Sequence, residues 1–152
     1  MNETTKILLT AFTTIGGGIF LFSAQKLIFE PILIFRKTLG DVSYCLQYHA
    51  WVFHMGTTDV PKERYEKVFD ELRSQTARMR ADANRILAYK FFASLGWLPK
   101  YADLIEAAGR LIRISNNLGR EQWDQTSDDL NTVEKLLRID IGKPTYKIDA
   151  GS

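Results

Sequence analysis

Asp41, Cys45 and His49 fall at i, i+4 and i+8, a spacing that lines a carboxylate, a thiol and an imidazole along one side of a helix. Such a row offers two or three ligands to a transition metal. A closed site takes four, and His54, five residues beyond His49, points elsewhere on the wheel. Cys45 and His49, one turn apart, also pair a nucleophile with a base, but no oxyanion loop and no third orienting group accompanies them. The sequence therefore reads Cys45 as a small buried hydrophobe and assigns no metal, no cofactor and no catalytic residue. Walker and Rossmann glycine patterns, HExxH, paired catalytic carboxylates and the Arg-x4-His spacing of helical ribonucleases are all absent, so the expectation is a protein that is not an enzyme.

A second chemistry lies in the arginines. Between Arg73 and Arg113 stand eight basic residues against three acidic ones, a local charge of +5. Arg78 and Arg85 lie seven apart on one helix face, and Arg110 and Arg113 lie three apart on another. If those faces meet, four guanidiniums can fork onto the phosphates of an anionic nucleotide or a lipid, with Asn116 and Asn117 as polar neighbours. The alternative is a solvated face that pairs with acids of neighbouring protomers or rests on anionic headgroups. Over the whole chain, 20 Lys and Arg balance 18 Asp and Glu for a net +2, and no direct DNA binding is expected. Tyr44, Tyr48, Trp51 and Met55 form an aromatic stripe at helical spacing, read as packing and not as a base-stacking platform.

These residues need elements to hold them, and every element reads as a helix. Ile7 to Gln25 runs 19 residues without a charge, about 28 Å of helix and close to the thickness of a hydrocarbon core. This segment reads as a single transmembrane helix. A cleaved signal peptide fits poorly, because Phe22 stands two before Ala24 where a small residue belongs. Lys6 precedes the span, whereas Lys26, Arg36 and Lys37 follow it, which predicts the N-terminus outside and residues 26–149 in the cytoplasm. One unpaired cysteine suits that compartment.

Glu30-Pro31 marks a kink or a fresh helix start, and apolar Leu39, Val42, Leu46, Val52 and Phe53 continue to a stop at Gly56-Thr57-Thr58. Asp59 caps the next helix, expected from about Pro61 to Leu95, with Tyr65, Val68, Leu72, Met79, Ala83 and Ile86 as its inner stripe. Gly96-Trp97-Leu98-Pro99 is a turn and restart. Leu104, Ile105, Ala108, Leu111 and Ile112 form the buried side of a helix ending at Asn116-Asn117-Leu118-Gly119. A last helix, capped by Thr126 or Ser127 with Asp128 and Asp129 in its first turn, carries Leu130, Val133, Leu136 and Leu137. The expected fold is all-α: a transmembrane helix over residues 1–25, then a helical bundle of about four helices, one of them long. Residues 150–152 read as a vector-derived tail.

On the wheel of the span, Thr10, Thr13, Thr14, Gly17 and Ala24 share about one third of the circumference, and Leu8, Phe12, Ile15, Ile19 and Phe22 oppose them. Small residues let helices approach closely in lipid, and hydroxyls bond across the contact or line a narrow pore. That face predicts self-association, with Lys26 and Glu30 at a cytoplasmic mouth. The span, the junction Phe29-Glu30-Pro31-Ile32 leading to Phe35-Arg36-Lys37, and the stretch from Gly96-Trp97-Leu98-Pro99 to Ser115-Asn116-Asn117-Leu118 together resemble a group of small bacterial membrane proteins. In layout the chain is similar to the single-span effectors of antiphage defence, including the pore-forming accessories of RNA-targeting CRISPR loci and effectors paired with nucleotidyltransferases. The resemblance implies a homo-oligomer that forms or gates a pore and disrupts the inner membrane when infection is sensed, through a nucleotide or a partner protein of the defence system. It assigns no functional residue. The competing expectation is a membrane-tethered helical module that recruits a soluble partner without opening a pore, in which the bilayer is only an anchor.

Overall fold

The computed structural model describes residues 3–54, 61–118 and 123–142, with the backbone alone for residues 4–12, 54 and 123. The fold is all-α, and no strand occurs among the described residues. Helix α1 spans Glu3–Ala24 and passes through a π-helical turn at Gln25–Phe29 directly into α2, Glu30–Tyr48. The junction expected to kink at Glu30-Pro31 is therefore a continuous helix. Proline offers no N–H and its ring crowds the carbonyl four residues back. Widening the preceding turn removes that conflict, and the Glu30 N–H donates to the Gln25 carbonyl five residues back.

Thr13–Tyr48 within this helix is long and apolar enough to cross a membrane. Ile15, Ile19, Phe20, Leu21, Phe22 and Leu27 are all exposed. So many exposed large apolar side chains leave an open apolar surface along this helix. From Ile32 onward one face turns inward: Phe35, Leu39, Val42 and Leu46 alternate at steps of four, three and four, and all are buried.

The stripe faces α4, Lys62–Arg85, which contributes Val68, Leu72, Met79 and Ala83. Thr38 opposes Asp82 and His49 opposes Glu71, so α2 and α4 are antiparallel. Helix α6, Tyr101–Asn117, runs antiparallel to α4, with Tyr101 against Asn84 and Asn116 against Arg73. Helix α7, Trp123–Leu137, packs on α6 through Val133 and Leu137, and its end returns to Gly96 through Arg138. The bundle is up-and-down, with the end of α4, the start of α6 and the end of α7 gathered near the point where α2 leaves the span.

Several boundaries differ from expectation. The second helix breaks at His49, and α3, Ala50–His54, follows as a separate turn. The long helix stops at Arg85, ten residues before Leu95. Ile86 goes extended and Ala88 takes a left-handed conformation at φ 56°, so that α5, Tyr89–Ser94, can bury Tyr89 and Phe92. A straight continuation would carry those two rings past the end of the core. In α6, Leu104, Ala108 and Leu111 are buried as expected, whereas Ile105 is exposed and Ile112 only half-buried. Helix α7 begins at Trp123, so Asp129 lies inside the helix and not in its first turn. The Gly56-Thr57-Thr58 stop, the Asp59 cap, Gly119 and the 150–152 tail lie outside the described residues.

Candidate functional site

On the apolar helix every residue from Thr13 to Phe22 is exposed, those of the small face and those opposite alike. Thr13, Thr14 and Gly17 are exposed and Ala24 is half-exposed, while the side chain of Thr10 lies outside the described residues. A Cβ added at Gly16, Gly17 or Gly18 would meet nothing within 4 Å, so these glycines leave open surface on one protomer. Lys26 and Glu30 stand 3.8 Å apart across one turn, both more than half exposed, so each charge is answered within its own helix.

The four arginines are not gathered into one anion site, contrary to expectation. Arg110 and Arg113 turn toward α7 and converge on Asp129, which is buried. Arg110 Nη1 donates to Asp129 Oδ1 at 2.9 Å and its Nη2 to Glu106 at 2.9 Å. Arg113 donates through Nε to Asp129 Oδ2 at 2.6 Å and through Nη2 to Oδ1. Burial alone would raise the Asp129 pKa, but the guanidinium hydrogen bonds and charges outweigh it and hold the carboxyl below the usual carboxylate range. Both guanidiniums are in turn held more firmly protonated by the acids they touch. This cluster ties α6 to α7, and both guanidinium charges are answered by carboxylates. Arg85 reaches Asp82 at 3.5 Å, and Arg78 stays exposed on α4. Asn116 accepts a bond from Arg73 at 3.0 Å, and the Asn117 Nδ2 is buried without a partner among the described residues.

The row of Asp41, Cys45 and His49 is also rearranged. Cys45, His49 and Glu71 come together, their ligand atoms all within 4.8 Å, and Asp41 is not among them. The carboxylate is supplied across the interface by α4, which helical spacing within α2 could not reveal. His49 Nε2 and Glu71 Oε2 are 3.0 Å apart, and the Tyr48 ring closes on the imidazole with centroids 4.9 Å apart. This is the donor set of a three-ligand zinc site with one open position. It is also a part-buried imidazole–carboxylate hydrogen bond, beside a thiol only 1% exposed that a substrate cannot reach.

Residues that sequence reasoning missed lie at the span-proximal end. Arg36 donates to the Trp97 carbonyl at 3.2 Å and Arg138 to the Gly96 carbonyl at 3.3 Å. The sequence did mark Arg36, through its position after the apolar run, but only as an orientation signal. Asp129 carried a signal as well: it sits four residues before Val133 on the buried stripe of its helix, where an acid demands a partner. Comparison with protein-family models, characterised proteins and solved structures finds no match to this chain.

Proposed function

We propose that the protein is a homo-oligomeric membrane effector, anchored in the bacterial inner membrane by α1 with its N-terminus outside and its bundle in the cytoplasm, and that it disrupts or gates the membrane. The observation that carries this reading is the unbroken helix from Glu3 to Tyr48. A tether needs only a flexible connection between anchor and module. Here the helix that enters the membrane is also a helix of the bundle, packed on α4, so rotation or tilt of the bundle can reach the span directly. The one irregular turn, at Gln25–Phe29, sits between the two, where a change of helical register can be absorbed or passed on.

Self-association through the Thr13, Thr14, Gly17 and Ala24 face supplies the oligomer, because small residues allow backbones to approach in lipid. A trigger has to bind two arrangements of the bundle with different affinity. Antiphage defence as the setting rests on the resemblance of layout alone. Basic residues concentrated after the span support the orientation.

The test is membrane potential, read by dye fluorescence in bacteria expressing the full chain or its Gly17→Leu variant. The added side chain meets open space on one protomer, so its effect reports association and not folding. Depolarisation by the wild type and its loss in the variant support the effector. Membrane-held wild type that leaves the potential intact while a soluble protein co-purifies supports the tether instead.

A further inference from the structure

We propose that the turn from Ile86 to Lys100 is a second membrane contact: a foot that lies on the cytoplasmic leaflet and takes the phosphate of an anionic phospholipid between Arg36 and Arg138. The proposal rests on the reading of α1 as a transmembrane helix.

Three observations converge on it. The first is where exposed apolar side chains occur. Apart from Tyr44 and Tyr48, stacked on each other toward the far end of α2, the large exposed hydrophobic residues beyond the span form two groups: Phe29, Leu33 and Ile34 of the α1–α2 helix, and Leu87, Phe91, Leu95, Trp97, Tyr101 and Ile105. Antiparallel pairing puts α5 beside the first turns of α2, and Tyr89 of α5 meets Phe35 of α2 edge to face. Both groups therefore belong to the same end of the bundle, the end from which the span departs. Leu87, Phe91 and Leu95 repeat every fourth residue, and each is more than half exposed, while Tyr89 and Phe92 between them are buried. The segment thus has one side in the core and an apolar side left open. Its fluid-facing aromatic residues are of the kind that settle at headgroup level.

The second observation is depth. Exposed apolar residues of the α1–α2 helix continue to Ile34, and from Ile7 to Ile34 a helix measures about 42 Å, the thickness of a bilayer with its headgroups. Arg36 and Lys37 then emerge at the boundary with water, and the foot stands level with them. Lys26 and Glu30, which interrupt the run, pair with each other.

The third is a cleft of about 300 Å³ lined by Arg36, Gly40, Trp97, Pro99, Arg138 and Ile139. Its two guanidiniums are each held on a backbone carbonyl of the Gly96–Trp97 turn. Among the described residues neither has a carboxylate partner, unlike Arg85, Arg110 and Arg113. A guanidinium has five N–H donors in a planar fork, and one bond to a carbonyl leaves most of them open. Two like charges in one cleft are best relieved by an anion between them, and phosphate accepts the fork in bidentate fashion. The neighbouring Trp97 and Leu95 require an apolar continuation of that anion, which a phospholipid has and a free phosphate lacks. Lys37, Lys90 and Lys100, all exposed, add positive charge around the foot.

The test uses the full chain with Trp51→Phe and Trp123→Phe, leaving Trp97 as the only tryptophan. It is reconstituted into phosphatidylcholine vesicles with increasing phosphatidylglycerol, using lipids brominated near the top of the acyl chain as quenchers. The expected result is quenching of Trp97 that grows with phosphatidylglycerol. Arg36→Gln with Arg138→Gln should raise the phosphatidylglycerol fraction needed for half-maximal quenching several-fold, and Phe91→Glu with Leu95→Glu should abolish quenching while helix content stays unchanged. Protein that resists carbonate washing yet shows unquenched Trp97 overturns the foot and leaves the span standing. Quenching that ignores both phosphatidylglycerol and the arginine replacements overturns the phosphate site. Protein washed off by carbonate overturns the span and the foot together.

Discussion

The rings of Phe35 and Tyr89 meet edge to face, their centroids 6.1 Å apart and their planes at 80°. Phe35 is fully buried, on the helix continuous with the apolar N-terminal segment, and Tyr89 donates its hydroxyl to the Pro99 carbonyl at 2.9 Å. One contact therefore joins α2, α5 and the turn that starts α6. Phe35→Ala should cost about 3–5 kcal/mol, as for other buried phenylalanines. Tyr89→Phe keeps the ring and should cost about 1 kcal/mol for the lost hydrogen bond. Thermal melts followed by circular dichroism would rank the two.

The same tyrosine gives an alkaline signature. Burial, with Tyr101 and Asp103 nearby, pushes the Tyr89 hydroxyl up to about 12. An unfolded tyrosine titrates near about 10. The unfolded chain thus gives up this proton first, and stability should fall as pH rises from the unfolded value toward the folded one. Denaturant midpoints measured across that window should decline less in Tyr89→Phe than in the wild type.

Asp129 sets the opposite limit. Its carboxyl is held low by Arg113 and Arg110, so its stabilisation is present above the unfolded carboxylate value and is lost as pH falls toward the folded one. Asp129→Asn should cost about 2 kcal/mol at neutral pH, the range for hydrogen bonds to charged groups. Urea midpoints for this variant should lose part of the wild type's acid dependence below about pH 4.

Cys45 is 1% exposed beneath the His49–Glu71 pair. Iodoacetamide should leave it unmodified in the folded chain and label it at the rate at which α2 opens from α4. Glu71→Ala removes the partner of a buried imidazole and should speed labelling, read by mass spectrometry, roughly tenfold or more for a loss of about 1.4 kcal/mol or more.

Pro31→Ala supplies the N–H whose absence favours the wide turn at Gln25–Phe29. Relaxation to regular α-helix would turn the span relative to the bundle without weakening the helix, since proline costs about 3 kcal/mol against alanine in a helix interior. The expected outcome is an unchanged or higher melting temperature with reduced depolarisation in cells.

Much of the architecture was legible in the residues themselves. Of the predicted stripe, Val68, Leu72, Met79 and Ala83 line the inner side of α4 and are buried, Tyr65 is half-buried, and Ile86 is buried just past the helix end. Leu104, Ala108 and Leu111 did the same for α6, and Gly96, at φ 78°, ends α5 as the Gly-Trp-Leu-Pro punctuation implied. Period and punctuation are local properties, carried by residues within a few positions of one another. The end of α4 was not legible, because Ile86, Tyr89 and Phe92 fit a continuing helix in pattern, and only the limited height of the core makes the chain turn there.

What the sequence determined by itself was the uncharged run from Ile7 to Gln25, the helical class of the chain and the free thiol, all consequences of composition and short-range spacing. The tertiary structure decided which charges meet. Arg110 and Arg113 look like open anion ligands along the chain and are spent on Asp129, 16 to 19 residues away. Arg36 and Arg138 look unrelated and line one cleft. A charge acts on whatever is nearest in space, and in a bundle of antiparallel helices the nearest partner is set by which turns of neighbouring helices lie at the same height.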